Sequence, residues 1–335
     1  MKRDKAQWTL WILGLSVMVL LVSFFSLSIG AVHIPLKKIF GMFTGAQDPS
    51  ISIILFDIRL PRIVLGCAVG GALALSGVIL QGMFRNPLVE PYTLGIAGGA
   101  ALGVSINVMA NFYHTIGIIA YPLCGFVGSI AVVAIMYILS MKKNMLRIQG
   151  LLLTGVMISF ICSSLIMLIM ALSKAEDLQR IVYWMMGFLG DAQWNLVLMM
   201  GVIALLGLAA SYIFCIDLNA MALGEEEARH LGVHTERTKK ILFFIAAILI
   251  GASVSVTGII GFVGLVVPHF VRLVIGRDHR ILLICSFLCG AGFLVFCDTF
   301  ARIIVSPIEL PVGVITGICG GTLFIYAMLK RRVQL

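Results

Sequence analysis

The sequence predicts an all-α, polytopic membrane protein of about ten transmembrane helices, with spans 2–5 and 7–10 forming an inverted repeat. Three observations carry that expectation. The 335 residues are 61% hydrophobic and only 12% charged, with a mean hydropathy of +1.10, a composition made of long apolar runs. One polar island interrupts them: nine of the 24 residues from 217 to 240 carry formal charge. A short glycine-centred motif also occurs twice, once on each side of that island.

The composition excludes several classes. A net charge of +9 suggests nucleic acid in a soluble protein, but here most basic residues fall in short loops, where they orient the chain in the membrane instead. No nucleic-acid partner is expected. Cys67, Cys124, Cys162, Cys215, Cys285, Cys289, Cys297 and Cys319 lie in or beside apolar runs without metal-ligand spacing. They are expected to pack as small apolar side chains. The start, MKRDKAQW before an apolar run, lacks a clear small-x-small cleavage site and is expected to remain as a first helix. One membrane domain, 1–335, is the simplest division.

Apolar runs of spanning or near-spanning length fall at roughly 8–30, 60–83, 92–111, 116–140, 150–173, 193–215, 240–258, 281–304 and 310–329. A shorter one at 260–276 carries Pro268 and fits a half-helix. Ten segments put both ends of the chain on one side. With that side cytoplasmic, the inner loops collect 17 of the 24 basic residues, as the positive-inside rule requires. The 217–240 island is then cytoplasmic as well. Leu223-Gly224, the acidic run Glu225, Glu226, Glu227 and then Leu231-Gly232 read as two short helices broken at the glycines. They suit either docking to another protein or a solvated loop.

The repeat is Leu75-Ser76-Gly77-Val78-Ile79 followed by Pro87, and Val256-Thr257-Gly258-Ile259-Ile260 followed by Pro268. Each proline stands ten residues after its glycine, and each copy is expected to begin a change of direction. The copies belong to spans 2 and 7, an odd offset that inverts one against the other, as in transporters whose pathway runs near the repeat interface.

Sequences for chemistry are missing. There is no GxxxxGK[ST], HExxH or GxSxG, so an enzyme is not expected and ATP would be used by another chain. Asp298 and Arg302 are spaced to meet on one helix face near the outer end of their span, as a local pair in preference to a proton relay. Gly155, Ser159 and Cys162 in the fifth span allow close helix packing; Thr154, Ser163 and Ser164 there could instead wet a pathway.

Several stretches together carry a family resemblance. They are Arg59-Leu-Pro-Arg62, GGALALSGVILQGMFRNPLVEPYTLG at 70–95, YWMMG at 183–187, LNAMALGEEEARHLGV at 218–233, GFVGLVVPHFVRLVIGRDHR at 261–280 and ELPVGVITG at 309–317. From about 55 to 330 the chain resembles the membrane permeases of ABC importers for iron siderophores, heme and cobalamin. One departure is Gly320-Gly321-Thr322, where such permeases usually have Gly-Ala-Pro.

The resemblance implies a permease subunit, without enzymatic activity, in the cytoplasmic membrane of a prokaryote. It implies a homodimer among lipid, with the pathway at the dimer interface, and Thr154, Ser159 and Ser163 lining it. A separate ATPase dimer would bind ATP and magnesium, and this chain no cofactor of its own. The coupling surface would be Ala222, Leu223, Gly224, Glu225, Glu226, Glu227, Ala228, Leu231 and Gly232. Arg59, Arg62 and Arg302, expected exposed on the outer face, would dock a substrate-binding protein. Asn86 and Leu88 would stand at a cytoplasmic gate. The expected cargo is a ferric siderophore, with cobalamin or heme as alternatives. The rival of another class is an ion-coupled secondary transporter, against which the missing relay of buried acids counts.

Overall fold

The computed structural model describes residues 2–30, 34, 35, 38, 41, 49–142 and 145–332. Among them, ten apolar helices stand where the ten runs were read. They are α1 (Lys2–Ser28), α2 (Leu60–Phe84), α3 (Ile96–Ala110), α4 (Ala120–Ser140), α5 (Ile148–Leu172), α6 (Trp194–Ile213), α7 (Thr235–Thr257), α8 (Val263–Ile275), α9 (His279–Ile303) and α10 (Val312–Arg332). Seven are long and apolar enough to cross a membrane, while α3, α8 and α10 are shorter apolar helices. The 15 residues of α3 rise about 22 Å, less than the hydrocarbon thickness. The second helix of each half, α3 and α8, is thus abbreviated, the mark of a transporter's interrupted segments.

The core is built around α2, 89% of whose apolar window is buried, against 22% for α5 and 6% for α1. Lipid offers no hydrophobic drive between helices, so close approach must come from small residues. Gly70 on α2 meets the Gly290 backbone of α9, and Gly77 meets the Gly264 backbone of α8. In the second half, Gly251 on α7 lies against Ser129 of α4. Gly251 precedes Gly258 by the same seven residues that separate Gly70 from Gly77. The first helix of each half therefore packs on the third helix of the other (α2 on α9, α7 on α4), as a two-fold relation between halves requires.

The two motif copies differ locally. α2 does not turn at Gly77 but runs on to Phe84, where Arg85 takes a left-handed conformation (φ 50°). α7 ends at Thr257 because Gly258 has φ 68°, a backbone that L side chains resist. Pro268 then lies inside α8, while Pro87 lies in a turn. Crossing partners, more than local backbone, preserve the repeat.

Candidate functional site

The polar island folds as read: two short helices, Cys215–Leu223 and Glu225–His230, broken at Gly224 (φ 151°) and followed by Gly232 (φ 87°). The three glutamates occupy the first turn of the second helix, where the positive end of its dipole favours them. Leu223 and Leu231 are 69% and 65% exposed, and Ala222, Glu226, Glu227 and Gly232 are exposed too. The other members of the expected surface face inward. Ala228 and Gly224 are buried. Glu225 lies 3.2 Å from Lys239 Nζ, which also meets Glu236 at 2.5 Å. Those three hold the island's shape and leave its outer contacts to the two leucines and their neighbours.

Asn219 ties this segment to the membrane helices. Its Nδ2 donates to Asp278 Oδ1 (2.9 Å), and its Oδ1 accepts from the His279 backbone N–H (2.9 Å) and from the His279 ring at Nδ1 (2.8 Å). Asp278 also caps the start of α9 through the Arg280 N–H. Hydrogen bonds from the Arg280 side chain, with burial opposing and Asn219 adding, hold the Asp278 carboxyl down to about 2. The polar island is thereby hydrogen-bonded to the first turn of α9. Asn219, Asp278 and His279 do not stand out in the sequence as a site; their signal is a polar cluster, Arg-Asp-His-Arg at 277–280, too long for a plain turn.

At the end of α2, Asn86 and Leu88 are exposed, and Asn86 Oδ1 accepts from the Leu88 N–H at 3.0 Å. This side-chain turn sets the loop's direction. The chain then returns to depth: Gly95 lies against the Gly155 carbonyl and Ser159 Oγ, midway along α5. Along this return Glu90 Oε1 accepts from the Phe262 N–H at 2.6 Å, directly before α8. Phe262 itself has φ 68°, a conformation costly for a bulky side chain and common where function needs it. Gln81 Nε2 donates to the Gly264 and Leu265 carbonyls, each at 3.3 Å. Two first-half side chains thus secure the broken backbone of the second half. Glu90 went unremarked in the sequence, although an acid beside proline in an apolar run was its signal.

The fifth-span residues divide. Gly155 and Cys162 are buried, Gly155 against the Leu94 backbone of the same chain, so their face packs within the protomer. The Thr154 hydroxyl lies 2.7 Å from the Gly150 carbonyl and 3.0 Å from Ser140 Oγ; the Ser159 hydroxyl donates to the Gly155 carbonyl at 2.9 Å. Both are half-buried and engaged at home. Ser163 and Ser164 are exposed on the outward face, with Phe160 and Met167.

The outer arginines overturn an expectation. Arg59, Arg62 and Arg302 are 5%, 4% and 3% exposed, not displayed to solvent. Arg62 forks onto both Asp298 oxygens (2.8–3.0 Å) and reaches Glu309 at 2.6 Å, while lying over the Phe188 ring at 5.2 Å. Arg302 meets the same Asp298 at 3.2 Å and donates to Ser26 Oγ at 2.5 Å. Arg59 donates to the Leu27 carbonyl at 2.5 Å. The end of α1 closes over the arginines, and two acids from the far end of the chain pair with Arg62 and Arg302. The local Asp298–Arg302 pair is present, joined by a third member 236 residues away. Beside this cluster opens a cavity of about 690 Å³, lined among others by Tyr113, Tyr121, Arg180, Tyr183, Trp184 and Phe188.

A bundle with broken helices, an inverted repeat and a projecting polar island is a transport permease, and comparison with known proteins places it. The sequence model of the FecCD transport family matches residues 18–330, and the chain belongs to that family. It is 38% identical to the hemin transport system permease protein of Yersinia pestis, covering 96% of this chain and 95% of that one. With the vitamin B12 import system permease protein of Klebsiella pneumoniae it shares 37%, covering 96% and 94%. Among solved structures it superposes on a metal-chelate type ABC transporter in an inward-facing conformation with a TM-score of 0.85, at 31% identity over 95% of this chain and 98% of that one. The chain is a multi-pass permease subunit of an ATP-driven ABC importer.

Proposed function

We propose that two copies of this chain form the membrane pathway of an importer for a metal-bearing macrocycle of the hemin or cobalamin kind, driven by a separate ATPase dimer that holds ATP and magnesium. The cavity beside the outer arginine cluster carries the cargo reading. Its tyrosines, tryptophan and phenylalanine offer stacking faces, and Arg180 offers a partner for a carboxylate. Relatives named for hemin and vitamin B12 favour the same class over the ferric siderophore expected from sequence. A substrate-binding protein delivers the cargo to this outer rim. Arg59, Arg62 and Arg302 act there as a buried frame that fixes the shape of the rim on which the binding protein docks.

In cells lacking the gene, uptake of labelled hemin or of labelled cobalamin should disappear and return on complementation. Loss of ferric siderophore uptake alone would overturn the macrocycle reading and leave the importer standing.

On the inner side, Leu223 and Leu231 are the anchors offered to the ATPase. Replacing both by aspartate should lower uptake about tenfold or more, as loss of central apolar contacts does, and abolish co-purification of the ATPase. The melting midpoint of the permease should not move, because both side chains are exposed. Retained co-purification would remove these leucines from the interface.

A further inference from the structure

A second cavity, of about 470 Å³, lies at the cytoplasmic ends of α2 and α8. Arg85, Arg272, Arg277, His269 and His279 line it, and none of its lining residues is acidic. Among the described residues no carboxylate pairs with Arg85, Arg272 or Arg277, and Arg272 and Arg277 repel one another. The nearest acid described above, Asp278, is engaged by Arg280 and Asn219. His279 is 4% exposed. Asn219 Oδ1 already accepts from the His279 backbone N–H, so Nδ1 is the ring nitrogen that carries the proton there. His279 Nε2 is buried without a partner, and Gly82 leaves it open: a Cβ there would sit 2.9 Å from it. Arginines gathered without acids are costly unless an anion joins them, and guanidinium forks match phosphate oxygens in particular. Leu273, in the lining, and Val274 beside it are 50% and 62% exposed, so an exposed apolar surface of the kind lipid covers adjoins the cavity.

We propose that this cavity is a phosphate site, filled by the headgroup of an acidic phospholipid or by soluble phosphate. The arginines neutralise the anion. His279 Nε2 accepts from the O–H of hydrogenphosphate or from a headgroup hydroxyl of the lipid, or donates to a phosphate oxygen once it has itself taken up a proton. Because Asn86, Pro87 and Ala222 share the lining, the occupant bridges the gate loop and the coupling segment.

The test uses the full chain, purified free of lipid and titrated at constant ionic strength with dihexanoyl phosphatidylglycerol and, separately, with inorganic phosphate. Binding is read by native mass spectrometry and by melting midpoint. The wild type should bind one of them about tenfold or more tightly than the Arg85→Gln/Arg277→Gln variant, the size of effect that losing one or two charge-assisted hydrogen bonds produces. Both substituted side chains are exposed, so the variant should fold. Gly82→Ala should weaken binding while every charge is kept. Binding of the lipid alone identifies the bilayer as source, and binding of phosphate alone the cytosol. Equal binding by wild type and the double variant, or none by either, overturns the proposal. So does a double variant whose single defect is failure to hold the ATPase, which makes these arginines a protein contact.

Discussion

Replacing Arg62 by alanine is expected to destabilise the folded permease by about 3–5 kcal/mol, the cost of leaving one partner of a buried ion pair alone. Arg62 provides the fork that joins α2 to α9 through Asp298 and to the following loop through Glu309. Without it Asp298 keeps only Arg302, at a single 3.2 Å contact. Arg62→Lys should fall between alanine and the wild type, since it restores charge without the planar fork. The midpoint of thermal unfolding in detergent, read beside the yield of monodisperse protein, decides the order. An Arg62→Ala midpoint equal to that of the wild type would show that the cluster adds nothing to stability. Any loss of uptake in such variants must therefore be scaled to folded protein before it is assigned to docking.

Gly77→Ala should be nearly as damaging, for a steric reason. A Cβ on Gly77 runs into the Gly264 carbonyl, and the three nearest atoms are all Gly264 backbone, which cannot rotate aside. Overpacking of this kind costs about 1–3 kcal/mol, occasionally more, and here it separates α2 from the start of α8. Gly201→Ala on α6 is the control, because nothing lies within 4 Å of the added carbon. That change should be neutral or mildly stabilising, since alanine favours a helix by roughly 0.8–1 kcal/mol over glycine. Expression and melting of the two variants compared side by side provide the measurement. Equal behaviour would mean that the α2–α8 crossing relaxes easily.

Most of the architecture was legible in the sequence because a bilayer imposes long apolar runs, and all ten appeared as helices. The two short helices around Gly224 were legible for the opposite reason, as a charged island with nowhere to go but out. The repeat was readable in Gly77 and Gly258, yet its better evidence, Gly70 on Gly290 and Gly251 on Ser129, depends on crossings that single-sequence spacing does not reveal. Burial of the outer arginines was illegible. Arginine near a helix end looks like a surface residue until its acid arrives from 236 positions away. Glu90 and Asn219 escaped for the same reason, because their partners Phe262 and His279 are distant in sequence. Hydroxyls on α5 suggested a wet lining, but Thr154 and Ser159 bond back to their own helix, a habit of hydroxyls in apolar surroundings.

The bond from Phe262 to Glu90 spans 172 residues, which bears on how the chain is made. When the ribosome has released the first three helices, the carboxylate of Glu90 already belongs to a segment bound for the bilayer interior, and its acceptor role is unfilled. Its donor emerges only after α7 is complete. A lone carboxylate in hydrocarbon is costly, so the segment from 85 to 95 has to wait near water, or in the shelter of the insertion machinery, until α8 begins. The first half of this permease is therefore an unfinished object during synthesis. Its re-entrant turn is completed by the second half, when the Phe262 N–H reaches Glu90.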